Sequence, residues 1–218
     1  PYIIAERLHP ATGTAPRWQG YVLNTLIGIS TLILSAPIGM AAGMLAGQLH
    51  IALGWQPLAI PFDAFGPVGK VALLAVLPLI LHDLWFYWSH RLEHKVPFLW
   101  AFHSLHHSDP EMNCTTWARD HFLQSGWRSF FPVFTLGLIV QLDMREAGAA
   151  AMFSQMAFML WSMFYHSAIR AELPFLDKIL VTPQVHRIHH STDPAHHNRN
   201  FADLFPVLDI IFGTYEKP

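Results

Sequence analysis

Charge is what this chain has least of. Only 13% of its 218 residues are Asp, Glu, Lys or Arg, against about 25% in ordinary soluble domains. Cysteine is almost missing as well. Cys114 stands alone, which excludes an intrachain disulfide and makes a thiolate metal cluster an unfit reading. The 13 basic and 15 acidic residues leave a net charge of −2, so nothing here calls for a nucleic-acid partner. There is no initiator Met and no signal-peptide pattern, and both ends are expected to be trimmed. No internal repeat or low-complexity tract occurs. H-E-x-x-H, a Gly-rich phosphate loop, a G-x-S-x-G elbow and paired Glu-x-x-His motifs are also absent. Zinc protease, nucleotide-binding, serine hydrolase and soluble carboxylate di-iron chemistries lose their signatures with them.

What the chain has is apolar length. It is 52% hydrophobic, with a mean hydropathy of +0.30. No charged side chain occurs from Trp18 to Phe62, and about 20 apolar residues suffice to cross a bilayer. Residues 21–47 supply a first span; IALGWQPLAIPF, broken by Pro57 and Pro61, reads as an interfacial or re-entrant link. Residues 71–88 supply a second span, with His82 and Asp83 near its far end. A charge at a span's centre costs roughly 2.5–3.5 kcal/mol, so Asp83 is expected at the interface or facing a polar site. Residues 125–142 and 147–165 are the third and fourth spans, turning through DMRE at Asp143–Glu146. The expected fold is all-α: one membrane-embedded domain of four helices in two hairpins, with a histidine-rich helical cap over 89–124 and 166–218. Arg7, Arg17, Arg91, Lys95, Arg119, Arg128, Arg170, Lys178, Arg187, Arg199 and Lys217 fall on the cap side, and only Lys70 and Arg145 on the other. The positive-inside rule then puts both termini and the cap in the cytoplasm.

The soft metal ligands must be histidines, and there are 15. Nine fall into a pattern: His90 and His94 as H-x-x-x-H, His103, His106 and His107 as H-x-x-H-H, His166 alone, and His186, His189 and His190 as a second H-x-x-H-H. Residues three and four apart share a helix face, so each cluster can grip one metal or bridge the approach to two. Neutral imidazole suits Fe, Zn, Cu and Ni. Nine ligands exceed the four of a tetrahedral zinc site and would serve two metals with four or five each. His9, His50 and His121 read as ordinary surface or core residues, and His196 and His197 as solvent-exposed in STDPAHHNRN. Glu93, Asp109, Glu111 and Asp193 lie near the clusters, where a carboxylate can orient a ligand histidine through its second ring nitrogen. Asp83 is placed to do this for His90, and His82, Asn113, Arg119 and Asn200 complete the candidate supporting set. A zinc-dependent membrane hydrolase remains an alternative. A metal transporter or sensor fits less well, because transport sites lie near the bilayer midplane and these clusters lie at one face.

DLWFYWSHRLEH, LWAFHSLHHS, MNCTTWAR, LVTPQVHRIHHS, NRNF and LDIIFGTY together resemble the fatty acid hydroxylase/sterol desaturase superfamily of integral-membrane di-iron enzymes, over most of Asp83–Tyr215. The resemblance implies that the nine patterned histidines, from His90 to His190, are ligands to two non-haem irons, with dioxygen as co-substrate and zinc able to replace iron on purification. It implies hydroxylation or desaturation of an unactivated C–H position on a lipid drawn from the bilayer, such as a fatty acyl chain or a sterol. No cytochrome-like segment lies in the chain, so a separate electron donor is implied, either cytochrome b5-like or a ferredoxin with its reductase. Two positions depart from the family pattern: Ala202 stands where Gly is common, and Leu208 where Trp often precedes the Asp.

Overall fold

The computed structural model describes residues 1–54, 56–141 and 144–218. The charge-free stretch after Arg17 forms one long helix, α2 (Trp18–Leu53), preceded by the short α1 (Tyr2–Leu8). Helix α2 ends at Gly54, whose φ of 61° is left-handed, a conformation glycine adopts without penalty. The predicted link is partly helical, since α2 runs through IAL. Leu58–Ala59 (β1) follows, and a 3-10 turn spans Phe62–Phe65. Helix α3 (Gly66–Lys95) is longer than the expected span and carries both histidines of H-x-x-x-H.

Val96 stops α3. It precedes Pro97, which disfavours helical backbone at the residue before it, and it is extended at φ −103°, ψ 114°. The chain turns there into α4 (Pro97–His107), with proline in its first turn. Helix α5 (Phe122–Ile139) packs along α2, and α6 (Met144–Tyr165) along α3. Gly126 makes the first packing possible, because a Cβ there would strike Ile38. Val140–Gln141 (β2) pairs in parallel with β1. The turn expected at Asp143–Glu146 begins outside the described residues. Helices α7 (Pro183–His189) and α8 (Val207–Ile211) close the chain.

Among the described residues, Trp18–Leu53 and Phe62–Lys95 are long and apolar enough to cross a membrane. Little of either surface is buried in the protein. Among the described residues, a buried apolar cluster joins Tyr87 on α3 and Tyr165 on α6 to Val181, Val185, Phe201 and Ala202. Both departures from the family pattern sit here: Ala202 is 1% exposed, and Leu208 packs against the cluster.

Buried carboxylates join segments distant in sequence. Glu6, fully buried on α1, accepts hydrogen bonds from the Tyr21 hydroxyl (2.8 Å) and from the backbone N–H of Cys114 (2.6 Å) and Ala168 (2.7 Å). Asp83 on α3 accepts three backbone N–H groups, those of Asp203 (3.0 Å), Leu204 (2.8 Å) and Phe205 (3.0 Å). Asp209 accepts the N–H groups of Phe201 and Ala202, both at 2.8 Å.

Candidate metal centre

The corner at Val96–Pro97 sets the last turns of α3 against α4, which brings H-x-x-x-H onto H-x-x-H-H. His166 follows the last residue of α6, and His190 follows α7. All nine patterned histidines meet at one place and divide into two groups. His90, His94, His103, His107 and His189 form one; His106, His166, His186 and His190 form the other. Within each, the ligand nitrogens lie within 4.8 Å of one another. Each H-x-x-H-H is divided between the groups. His103 and His107, one turn apart, serve the first and His106 the second; His186 and His190 serve the second and His189 the first. The groups touch, with the His107 and His190 rings stacked at 4.4 Å.

The ring nitrogens indicate what the groups can hold. His90, His166 and His189 each place Nδ1 against a backbone carbonyl: Phe201 (2.8 Å), Ser162 (2.9 Å) and Arg199 (2.9 Å). A carbonyl only accepts, so Nδ1 carries the proton and Nε2 presents a bare lone pair. Those Nε2 atoms crowd others. His90 and His94 lie 3.0 Å from His103, and His107 lies 3.1 Å from it. His189 lies 3.2 Å from His107, and His186 and His106 lie 2.9 and 3.2 Å from His166. His106 and His186 moreover leave buried Nδ1 atoms without a hydrogen-bond partner. Lone pairs aimed at a common centre repel unless a cation sits among them. The donor set therefore fits two metal ions bound by nitrogen, five donors for one and four for the other.

Burial, reinforced by neighbouring histidines, holds these imidazoles neutral. His103, His106, His107, His186 and His190 lie well below the ordinary histidine value. His166 and His189 fall to about 4, limited by their hydrogen bonds to backbone carbonyls. Neutral imidazole is the metal-binding form. The sign of the pH effect follows. As pH falls below about 6.5 the unfolded chain takes up protons that the folded cluster refuses. Stability is lost as pH falls below about 6.5, ending near 4 for His166 and His189 and continuing lower for the others. Thermal midpoints of chelator-stripped protein should therefore decline steadily between about pH 7 and about pH 4.5; a flat profile contradicts this.

A cavity of about 640 Å³ opens onto the histidines. Leu32, Met40, Val133 and Phe158 are among its apolar lining, and His90, His103, His106, His166 and His186 among its polar lining. Tyr165, also in the wall, donates to Asp203 and accepts from Ser162.

The supporting residues are less well foreseen than the histidines. Asp83 does not touch His90. It holds the backbone of 203–205, near Phe201, whose carbonyl orients His90. His82 Nε2 lies 3.1 Å from Asp203 and lines the cavity. Arg119 donates to the Leu105 carbonyl, Ser108 Oγ and Asn24, bracing the end of α4. Asn113 serves the turn at Asn113–Thr116, Asp193 caps the turn at Ala195, and Asn200 ties Val185 to Glu216; none of the three meets a patterned histidine. Asp109 accepts from Asn24 and Thr116, and Glu111 pairs with Arg17. Of the four carboxylates expected near the clusters, Glu93 stands near a patterned ring, 3.6 Å from His103 Nδ1. His9, His50, His121, His196 and His197 lie outside both groups. Asp120, Gln124 and Arg128 escaped the reading; an arginine at the edge of an apolar run was the available signal.

The sequence model of the fatty acid hydroxylase family matches residues 75–214. The chain is 32% identical over 211 residues to an alkylglycerol monooxygenase of Xenopus tropicalis, covering 91% of this chain and 42% of that protein. It is 27% identical over 218 residues to the ornithine lipid hydroxylase OlsE of Rhizobium tropici, covering 98% of this chain and 63% of that protein. This chain thus spans less than two thirds of either relative. No solved structure matches it.

Proposed function

The chain belongs to the fatty acid hydroxylase family, and from that premise we propose that it is a membrane di-iron oxygenase that hydroxylates a lipid. One observation carries the reading: two nitrogen-only groups, of five and four histidines, each contribute rings to the wall of a largely apolar cavity. Two irons, one in each group, would activate dioxygen for attack on an unactivated C–H bond. The chain's own share is to bind and orient. Leu32, Met40, Val133 and Phe158 hold an apolar chain, so that one of its carbons faces the histidines in the same wall while water is kept away. The relatives named above are a monooxygenase and a hydroxylase, which favours hydroxylation over desaturation. Helices α2, α3, α5 and α6 make four crossings, with both termini and the cap in the cytoplasm, as the distribution of Arg and Lys supports. Substrate enters from the bilayer, and a separate donor delivers electrons at the cap.

The test is protein purified gently from iron-fed cells. Elemental analysis and Mössbauer spectroscopy should find about two irons per chain as a coupled pair. Incubation with membrane lipids, a reductant and isotopically labelled dioxygen should add one labelled oxygen atom to one lipid. One metal or none, or a lipid changed without label, sinks the reading.

A further inference from the structure

A polar layer stands behind the histidines. Glu93, 1% exposed, accepts from Trp127 Nε1 (2.8 Å) and from two nitrogens of the Arg128 fork, Nε (2.9 Å) and Nη2. Asp120 accepts from Gln124 Nε2 (3.1 Å) and Ser125 Oγ (3.3 Å), with Arg128 Nη1 3.9 Å away. Each carboxylate also faces the far nitrogen of a ring on α4. Glu93 Oε2 lies 3.6 Å from His103 Nδ1, and Asp120 Oδ1 lies 3.5 Å from His106 Nδ1. Gln124 Nε2, beside Asp120, is 3.1 Å from His103 Nδ1. The two carboxylate contacts are longer than hydrogen bonds and short enough for strong electrostatic coupling in a buried setting. His103 belongs to the five-histidine group and His106 to the four. One guanidinium thus anchors two carboxylates, each behind one ring of a different group.

A cation bound at Nε2 puts the ring's proton on Nδ1 and makes that N–H more positive; at His103 this requires the Gln124 amide to present its otherwise unpartnered Oε1 there in place of Nε2. A carboxylate behind it stabilises that state and fixes the ring plane, an effect worth about 10–100-fold in metal affinity. The two-pronged grip of Arg128 keeps Glu93 from swinging away. We propose that Glu93 and Asp120, held by Arg128, are positioning residues that set the metal affinity of the two groups separately, Glu93 through His103 and Asp120 through His106. The proposal rests on the reading of both groups as metal sites. A merely structural role, a buried ion pair joining α3 to α5, would affect both groups alike.

Anaerobic titration of the metal-free full chain with cobalt(II), followed by visible absorption and equilibrium dialysis, separates these. The unaltered protein should bind about two cobalt ions; fewer overturns the two-metal reading and this proposal with it. Glu93→Gln should weaken one site about 10–100-fold, leaving the spectrum of a His107→Ala reference. Asp120→Asn should weaken the other, leaving the spectrum of His190→Ala. Glu93→Gln alone strands a buried guanidinium, so the double variant Glu93→Gln, Arg128→Gln is titrated beside it and must show the same loss at the five-histidine site, with a smaller loss at the other, where Asp120 keeps Ser125 after Arg128 is gone. Unaltered affinity at both sites in any of these variants, or equal weakening of both, overturns the proposal.

Discussion

Replacing His107 by alanine should abolish turnover and lower the iron content from about two per chain towards one, with the protein still in the membrane. His107 lies 3.1 Å from His103 and 3.2 Å from His189, and stacks on His190 of the other group. Its loss opens the five-histidine group on the side where the groups meet. His190→Ala cuts deeper into metal binding, since only three nitrogens remain in its group. Residues one step behind a ligand cost about 10–100-fold, and loss of a ligand should exceed the upper end of that range. His121 supplies the control. Its ring lies outside both groups, its Nδ1 accepting from the backbone N–H of Leu123, so His121→Ala should keep the full metal content. Iron per chain and product formed per iron, measured on all three variants, decide the matter. Full activity in His107→Ala or His190→Ala would remove that residue from the site.

The largest effect on stability should come from Asp83→Ala. The side chain is 2% exposed and accepts three backbone N–H groups in a row. Asp83 is the acceptor of all three, and each buried donor left unpaired costs about 1–3 kcal/mol. A loss of about 3–5 kcal/mol is expected, enough to release the 203–205 loop without dispersing the helices. The consequence reaches the site through Phe201, whose carbonyl fixes His90. Hydrogen exchange should show lost protection at 203–205, with weaker metal binding in the five-histidine group than in the four. Unchanged protection there would refute this account of Asp83.

The difference between these two residues shows what a linear sequence encodes. The histidines are legible because their spacing is itself the geometry. H-x-x-x-H on α3 and the outer members of each H-x-x-H-H fall one turn apart, and each outer pair enters a single group. The apolar runs are legible for the same reason, since length and absence of charge are local properties. Asp83 was legible as an expensive residue in an apolar helix, yet its partners lie some 120 positions away, and no local period points to them. Arg128, Glu93 and Asp120 are joined by the packing of α5 against the end of α3, which spacing does not specify. Asn113, Asp193 and Asn200 carried the opposite error: polar residues close in sequence to the clusters serve turns of their own.

The division of the two H-x-x-H-H motifs has a consequence in time. Four of the five nitrogens of the first group, on His90, His94, His103 and His107, are present once α4 exists, and only His189 must come later. The second group then has His106 alone and waits for α6, α7 and His190. A growing chain therefore gathers four donors of the five-histidine group before the other has more than one, and a single segment then completes both, at His189 and His190.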